Sequence, residues 1–426
     1  MLNRLVIQLA RLGDLVQTLP AVVALQAAYT EDQFDLLCAA PLVSVGKSFP
    51  GVKQVLPWDG TEWEQMAQKV SSETDTALSQ AAAYLERYQN SAYALAYNLN
   101  NHSRAILTAH LLAAKVNGPG CYGPLSSELP NWSRYLNLVG AHRGRNRVHL
   151  ADAFCGLCGV KPPRTVPMLC LSAANHVERL DGFMAQDALR VAVIIGSGDP
   201  ERRLPLRTWE EWITTFFSAS ARGRVVLVGG PGERELARAL LDLVPPLYIG
   251  RIWDVCGQTT IPQLAELFSR CAWVVGSDTG PLHLAVASGA RVQGFYFSRA
   301  RVHETGPYGK GHWVWQAERT PPRHTLCDMP NMGEPGVWPE YWPVRESVEL
   351  MLTERCAKLP AGWSLWRSQK DDWGAHFFGY AASSQEPSAY RQQIWDMLHE
   401  QENVDWDGVS ALLHDATRVS VPSGEL

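Results

Sequence analysis

The sequence predicts an α/β protein in which two similar parallel-sheet domains face each other across a cleft, followed by a Trp-rich C-terminal appendage. Three observations predict it. Two runs of short apolar strands alternate with helical stretches, a pattern that favours a parallel sheet covered by helices. A breaker, Lys161-Pro162-Pro163, separates the runs. Beyond residue 312 the texture changes, and nine of the 16 Trp residues fall there. The division expected from these shifts is residues 1–180, 188–355 and 356–426.

In the first run Val6-Ile7-Gln8-Leu9 is a short buried strand, and Val16, Leu19 and Val23 recur behind it at helical spacing. Residues 34–38 and 93–97 repeat the strand pattern, with helices expected over 40–49 and 103–114. The second run begins after a mixed stretch at 175–186. It carries strands at 190–195, 224–228, 273–275 and 292–297, with helices at 208–221, 233–243, 261–271 and 281–288. Ligands of open α/β sheets bind at the C-terminal ends of the strands, so the crevice between two such domains is the expected site. In the appendage prolines cluster between 321 and 343, and short helices are expected at 387–401 and 407–416.

Composition narrows the function classes. At 426 residues, 46% hydrophobic and 19% charged, the chain can bury a substantial core in each of two domains. A formal net charge of -5 calls for no general polyanion-binding face, and nucleic acid is not an expected partner. Met1-Leu2-Asn3-Arg4 leads straight into strand-like sequence without the features of a signal peptide, and no run reaches the length of a membrane span. The expected location is cytoplasmic, with peripheral contact at the inner face of the membrane left open. Nine scattered cysteines read as reduced thiols. Cys155-Gly156-Leu157-Cys158 is a CxxC in a helical apolar pattern with no second pair to complete a zinc site, so packing is its expected role.

Chemistry-bearing residues gather in the loops after strands. Arg11-Leu12-Gly13-Asp14 puts a carboxylate where a helix begins; it could cap that helix or serve as a base taking a proton from an acceptor hydroxyl. Val274 to Leu284 contains Gly276-Ser277-Asp278-Thr279-Gly280-Pro281, in which Gly280 lets backbone amides approach an anion and Pro281 suits a first helical turn. This is a candidate phosphate cradle, against the plain reading of a strand-to-helix turn. His283, alone, reads as a packed histidine. Gly196-Ser197-Gly198 with Arg202-Arg203 suits a diphosphate through bidentate guanidinium bonds, or is an exposed basic turn. Glu233, in Gly229-Gly230-Pro231-Gly232-Glu233, could meet ribose hydroxyls or cap a helix. Neither GxxxxGK[ST] nor a complete GxGxxG is present, which weakens kinase, NTPase and dehydrogenase readings.

Taken together these segments resemble glycosyltransferase family 9, whose best-known members are ADP-heptose:lipopolysaccharide heptosyltransferases. Arg11-Leu-Gly-Asp14 with Thr18-Leu-Pro20, and Asp278-Thr-Gly-Pro-Leu-His283, carry the resemblance. The segments Gly196-Ser197 to Pro205, Gly229 to Glu233, Cys256-Gly257-Gln258-Thr259 and Thr305-Gly-Pro-Tyr-Gly309 follow in family order over roughly residues 1–350. The resemblance implies a GT-B fold of two Rossmann-like domains and an inverting single displacement with neither metal nor cofactor. It implies Asp14 as general base, Ser197, Arg202, Thr279 and Gly280 at the donor diphosphate, Glu233 at the ribose, Gly257 near the base, and Asp278 and His283 orienting donor or sugar. Arg202 stands where many members carry Lys. No counterpart of the cysteine-rich metal finger of some members is present, since Cys327 and Cys356 are isolated. The expected partners are a nucleotide-sugar donor, with ADP-heptose first, and a glycan or glycolipid acceptor. Arg104, in the segment 98–104 that follows a first-domain strand, could with Arg11 meet an anionic acceptor sugar, against the default reading of solvated surface charge. Other GT-B sugar-nucleotide enzymes, epimerases among them, and a catalytically silent binding protein are the alternatives.

Overall fold

A computed structural model describes residues 1–69, 79–80, 83–84, 86–88, 93–141, 146–172, 188–318, 339, 341–380, 388–399 and 404–415. The mixed stretch at 175–186, Cys327 and most of the proline cluster from 321 lie outside the described residues. The expected helices at 387–401 and 407–416 extend beyond the described residues at their ends.

The first sheet has five strands in the order β3-β2-β1-β4-β5, formed by β1 Asn3–Gln8, β2 Gln33–Ala39, β3 Val52–Trp58, β4 Leu95–Asn98 and β5 Val116–Asn117. Every pair in it is parallel. Its central strands are buried on both faces because helices cover both sides, which is why β1 and β2 read as near-continuous apolar runs. The second sheet has eight strands, β13-β12-β11-β10-β9-β6-β7-β8. These are β6 Leu189–Ile194, β7 Gly223–Val228, β8 Ile252–Asp254, β9 Trp273–Ser277, β10 Arg291–Tyr296, β11 Trp313–Ala317, β12 Trp363–Asp371 and β13 Gly374–Gly379. The strands β6 to β11 are parallel, whereas β12 and β13 run antiparallel at the edge.

Two details depart from expectation. The stretch 40–49 is not one helix; a 3-10 turn at Ala40–Leu42 leads into the short helix Val43–Gly46. The segment from 356 is not set apart from the second domain either. Its hairpin β12–β13 extends the second sheet, with Trp315 opposite Leu365 and Trp313 opposite Arg367.

Among the described residues, the Trp side chains beyond 312 pack inward, with Trp313, Trp315, Trp363 and Trp395 buried and the others half-buried. Trp363 packs near Phe295 and Trp342, with ring centroids 6.3 and 5.6 Å away, and the Trp212 indole donates to Ser347 Oγ at 2.9 Å. The two C-terminal helices, Ser388–Leu398 and Trp406–Asp415, return to the first domain. There Trp395 packs on Trp132 at 4.5 Å, Arg134 lies over the Trp406 ring at 4.3 Å, and Gly156 leaves room for the Trp132 ring, which an added Cβ would meet at 2.1 Å. Asp405, the first residue of the Asp405-Trp406-Asp407 triplet, accepts from the Gly408 amide at 2.9 Å and so caps a helix.

One apolar cluster runs from Val6, Leu36 and Tyr97 of the first sheet through the helix Leu150–Leu157 to Val274 and Val292 of the second. The domains therefore meet through a packed interface. Cys155 and Cys158 are both buried in that interface helix, and burial pushes both thiols up, so the CxxC is packing as expected.

Candidate active site

The strand orders place a reversal of winding direction between β1 and β4 in the first sheet and between β6 and β9 in the second. At such switch points the loops leave the sheet in opposite directions and open a crevice. The two crevices share one cavity of about 670 Å³, lined from β1 by Arg11 and Asp14, from β4 by His102 and Arg104, from β6 by Ser197 and Arg202, and from β9 by Asp278, Thr279, Gly280 and His283. The volume is in the range that holds a small organic ligand.

The halves touch at two glycines. The helix α1, Leu12–Gln17, begins against the helix α2, Gly280–Ala287. A Cβ added to Gly280 would lie 3.0 Å from Leu12 Cβ and 3.1 Å from Gly13 N, and one on Gly13 would lie 3.2 Å from His283 Cδ2. Only residues without side chains let these backbones come so close. Asp14 is not the N-cap, a position Arg11 holds; its carboxylate sits in the first turn, accepts from the Arg11 backbone and lines the cavity. Nor does a side chain cap α2, where Thr279 is the N-cap, so the positive end of that helix is left to the cleft.

Two carboxylates in one cleft are pushed in opposite directions. Burial raises the Asp14 pKa, and the charge of Asp278 adds to the rise; His283 and the Arg11 backbone offset it only in part. Burial would raise Asp278 as well, but the hydrogen bond and charge of His283, together with Arg202 and Thr305, outweigh it and hold that carboxyl below its ordinary value. The contacts are Arg202 Nη1 to Oδ2 at 3.1 Å, Thr305 Oγ1 to Oδ2 at 3.3 Å, and His283 Nε2 to Oδ1 at 3.4 Å. Environments that separate the pKa values of two acids also separate their chemical roles: Asp14 is suited to exchange a proton, Asp278 to remain an anion that orients cations.

The other expected residues divide. Ser197 Oγ accepts from the Asp199 amide at 3.2 Å. Arg203, read together with Arg202 as a diphosphate clamp, instead donates twice to the Ser197 carbonyl, at 3.0 and 2.9 Å, and holds the loop in shape. Glu233 lines the cavity, but its Oε2 accepts from the Gly230 amide at 2.6 Å, so one oxygen closes its own turn. Gly257 does not line the cavity. Its φ of +65° and an added Cβ's 2.7 Å approach to Pro231 Cα make it a packing glycine behind the Gly229–Glu233 loop, joined to it by Gly257 N to Gly229 O at 2.8 Å. Arg11 is exposed at the rim, and Arg104 stands 3.6 Å from Glu64.

Sequence reasoning missed Gln17, His102, Arg299 and Glu304, which also line the cavity. His102 lies in the segment that supplied Arg104, next to a strand end, and that position was the available signal. Arg299 and Glu304 follow β10 with no spacing to separate them from ordinary loop charges. Among the described residues, no group of three or more His, Cys, Asp or Glu side chains is arranged to hold a metal ion, and no helix is long and apolar enough to cross a membrane.

A family model described as glycosyltransferase family 9 (heptosyltransferase) matches residues 86–332. Among solved structures, a family 9 glycosyl transferase from Veillonella parvula is 17% identical with a TM-score of 0.57, covering 72% of this chain and 83% of that one. The E. coli ADP-heptose lps heptosyltransferase II is 18% identical with a TM-score of 0.54, covering 72% and 87%. E. coli heptosyltransferase WaaC with ADP-2-deoxy-2-fluoro heptose is 18% identical with a TM-score of 0.53, covering 73% and 92%. These likenesses show the shared fold. No curated protein sequence matches the chain.

Proposed function

Because the chain belongs to glycosyltransferase family 9, we propose that it transfers heptose from ADP-heptose to a hydroxyl of a lipopolysaccharide or other surface-glycan acceptor, with Asp14 as general base. The observation that carries this reading is the Asp14 carboxylate lining the shared cavity from a first-domain helix start that packs against the uncapped start of α2. The donor would lie on the second domain, its diphosphate at the Gly280 turn near Ser197 and Arg202, its ribose towards Glu233. The acceptor would enter along the first domain, past Arg11 and Arg104.

The chemistry follows as a single displacement. Asp14 accepts the proton of the acceptor hydroxyl as that oxygen bonds to the anomeric carbon. The bond from that carbon to the phosphate oxygen breaks, its electron pair leaves with ADP, and the anomeric configuration inverts. Arg202 and the α2 N-terminus lie where negative charge grows on the leaving group, and Asp278 holds Arg202 in place meanwhile. This chain's own cations thus suit a reaction without a metal, at a cytoplasmic surface from which a glycolipid can be reached. Purified protein given ADP-heptose and a heptose-accepting core glycan should form product of inverted configuration at the same rate with EDTA as without it. An EDTA-sensitive rate restored by a divalent cation would reject the metal-independent mechanism. No transfer from any ADP-linked sugar would reject the assignment.

A further inference from the structure

Four loops meet at the two switch points, and the one after β4 carries a side chain with no part in the chemistry above. Asn98 and Asn100, fully buried or nearly so, fasten that loop. Asn98 Nδ2 donates to the carbonyls of Asn100 and Pro119 at 3.0 and 2.8 Å, and its Oδ1 accepts from the Asn100 amide at 3.0 Å. Asn100 in turn donates to the Ile7 carbonyl at 2.9 Å and accepts from the Leu9 amide at 3.1 Å. These bonds tie the end of β4 to the end of β1, whose continuation bears Asp14, so the geometry between His102 and Asp14 is set before any ligand arrives.

His102 is the N-cap of the helix Ser103–Leu112: its backbone is extended, and its Nδ1 accepts from the Ala105 amide at 3.1 Å. A ring whose Nδ1 accepts carries its proton on Nε2 when neutral. Burial and then the charge of Arg104 hold its pKa below the ordinary 6.5, which favours that neutral form. The ring lines the cavity, and Nε2 has no hydrogen-bond partner among the described residues.

We propose that His102 is an acceptor-binding residue whose Nε2–H donates to an oxygen of the acceptor sugar and so decides which hydroxyl is presented to Asp14. The proposal rests on the reading above, in which the first domain takes the acceptor. It gives His102 a different part from its neighbours, because a neutral donor with one fixed direction selects a hydroxyl position, whereas Arg11 and Arg104 attract charge.

Two variants separate binding from folding. Asn caps helices well but is too short to reach the cavity, and Leu does neither. His102→Asn and His102→Leu should both raise the acceptor KM about tenfold, the loss of one hydrogen bond, while the dissociation constant for ADP, measured by calorimetry, stays within about twofold of wild type. The melting temperature should fall for His102→Leu and hold for His102→Asn. An unchanged acceptor KM in His102→Asn, or a matching rise in the ADP dissociation constant, would overturn the assignment. Wild-type transfer in the same assay keeps the two readings apart: a wild type that fails to transfer ends both, whereas an active wild type with an indifferent His102→Asn ends only this one.

Discussion

At the scale of single residues, the site depends on two carboxylates held apart in pKa. Asp14, raised by burial, must be deprotonated to act as base, so kcat/KM should rise with pH through a midpoint above the 3.8 of an ordinary Asp and then level off. A profile whose acid limb has its midpoint at or below 3.8 would contradict the raised Asp14. The sequence named Asp14 and Asp278 because each stands in a strand-to-helix turn, where chemistry concentrates in α/β folds, whereas His283, inside the helix that follows, was singled out only through the family resemblance. It could not show that Arg203 grips a carbonyl while Arg202 grips Asp278, since adjacent arginines carry the same charge and differ only in direction. Gly257 poses a related problem: a glycine needed for close packing, as this one is against Pro231, and one needed for ligand approach look alike in sequence.

At the scale of elements, most strands buried on both faces were legible, β11 excepted, and edge strands were not. β3 contains Pro57, which a sheet tolerates at its edge, and β5 has two residues, too few for a periodic signal. The strand β12 was hidden because two of its buried positions hold Ser368 and Lys370, which breaks the apolar alternation that marks a half-buried strand. The element that matters most for function is the pair α1 and α2, whose starts meet at Gly13 and Gly280. Gly280→Ala puts a methyl 3.0 Å from Leu12 Cβ and should push the two helix starts apart. Because misplacement of reacting groups by ~1 Å costs about a hundredfold in rate, kcat should drop on that scale with little change in thermal stability. A variant with wild-type kcat would mean that this contact does not set the geometry of the site.

At the scale of the whole molecule, the helix Leu150–Leu157 binds the domains together. Asp152 accepts from Tyr308 Oη at 2.8 Å and from the Ala375 amide at 2.8 Å, and His149 bonds the Gly306 carbonyl at 2.8 Å. The first domain thus holds both the Thr305–Gly309 segment, whose Thr305 reaches Asp278, and the edge hairpin. Burial pushes the Asp152 pKa up to about 7, against opposing effects of Tyr308, Ala375, Lys370 and Arg391. In the unfolded chain it titrates near ~3.9. The folded state therefore keeps an extra proton between those values, and the stabilisation present at low pH is lost as pH rises to about 7. Asp152→Asn should flatten the stability change between pH 4 and 7 in denaturant titrations; an unaltered slope would assign it to other groups. This junction escaped the sequence because its partners lie about 150 to 220 residues apart. The central claim is that one domain supplies the base and the other holds the donor, and Asp14→Asn tests it most directly. Single-turnover transfer from bound ADP-heptose should fall by about a thousandfold while the ADP-heptose dissociation constant stays within about twofold; transfer at the wild-type rate, or loss of donor binding in step with activity, would contradict it.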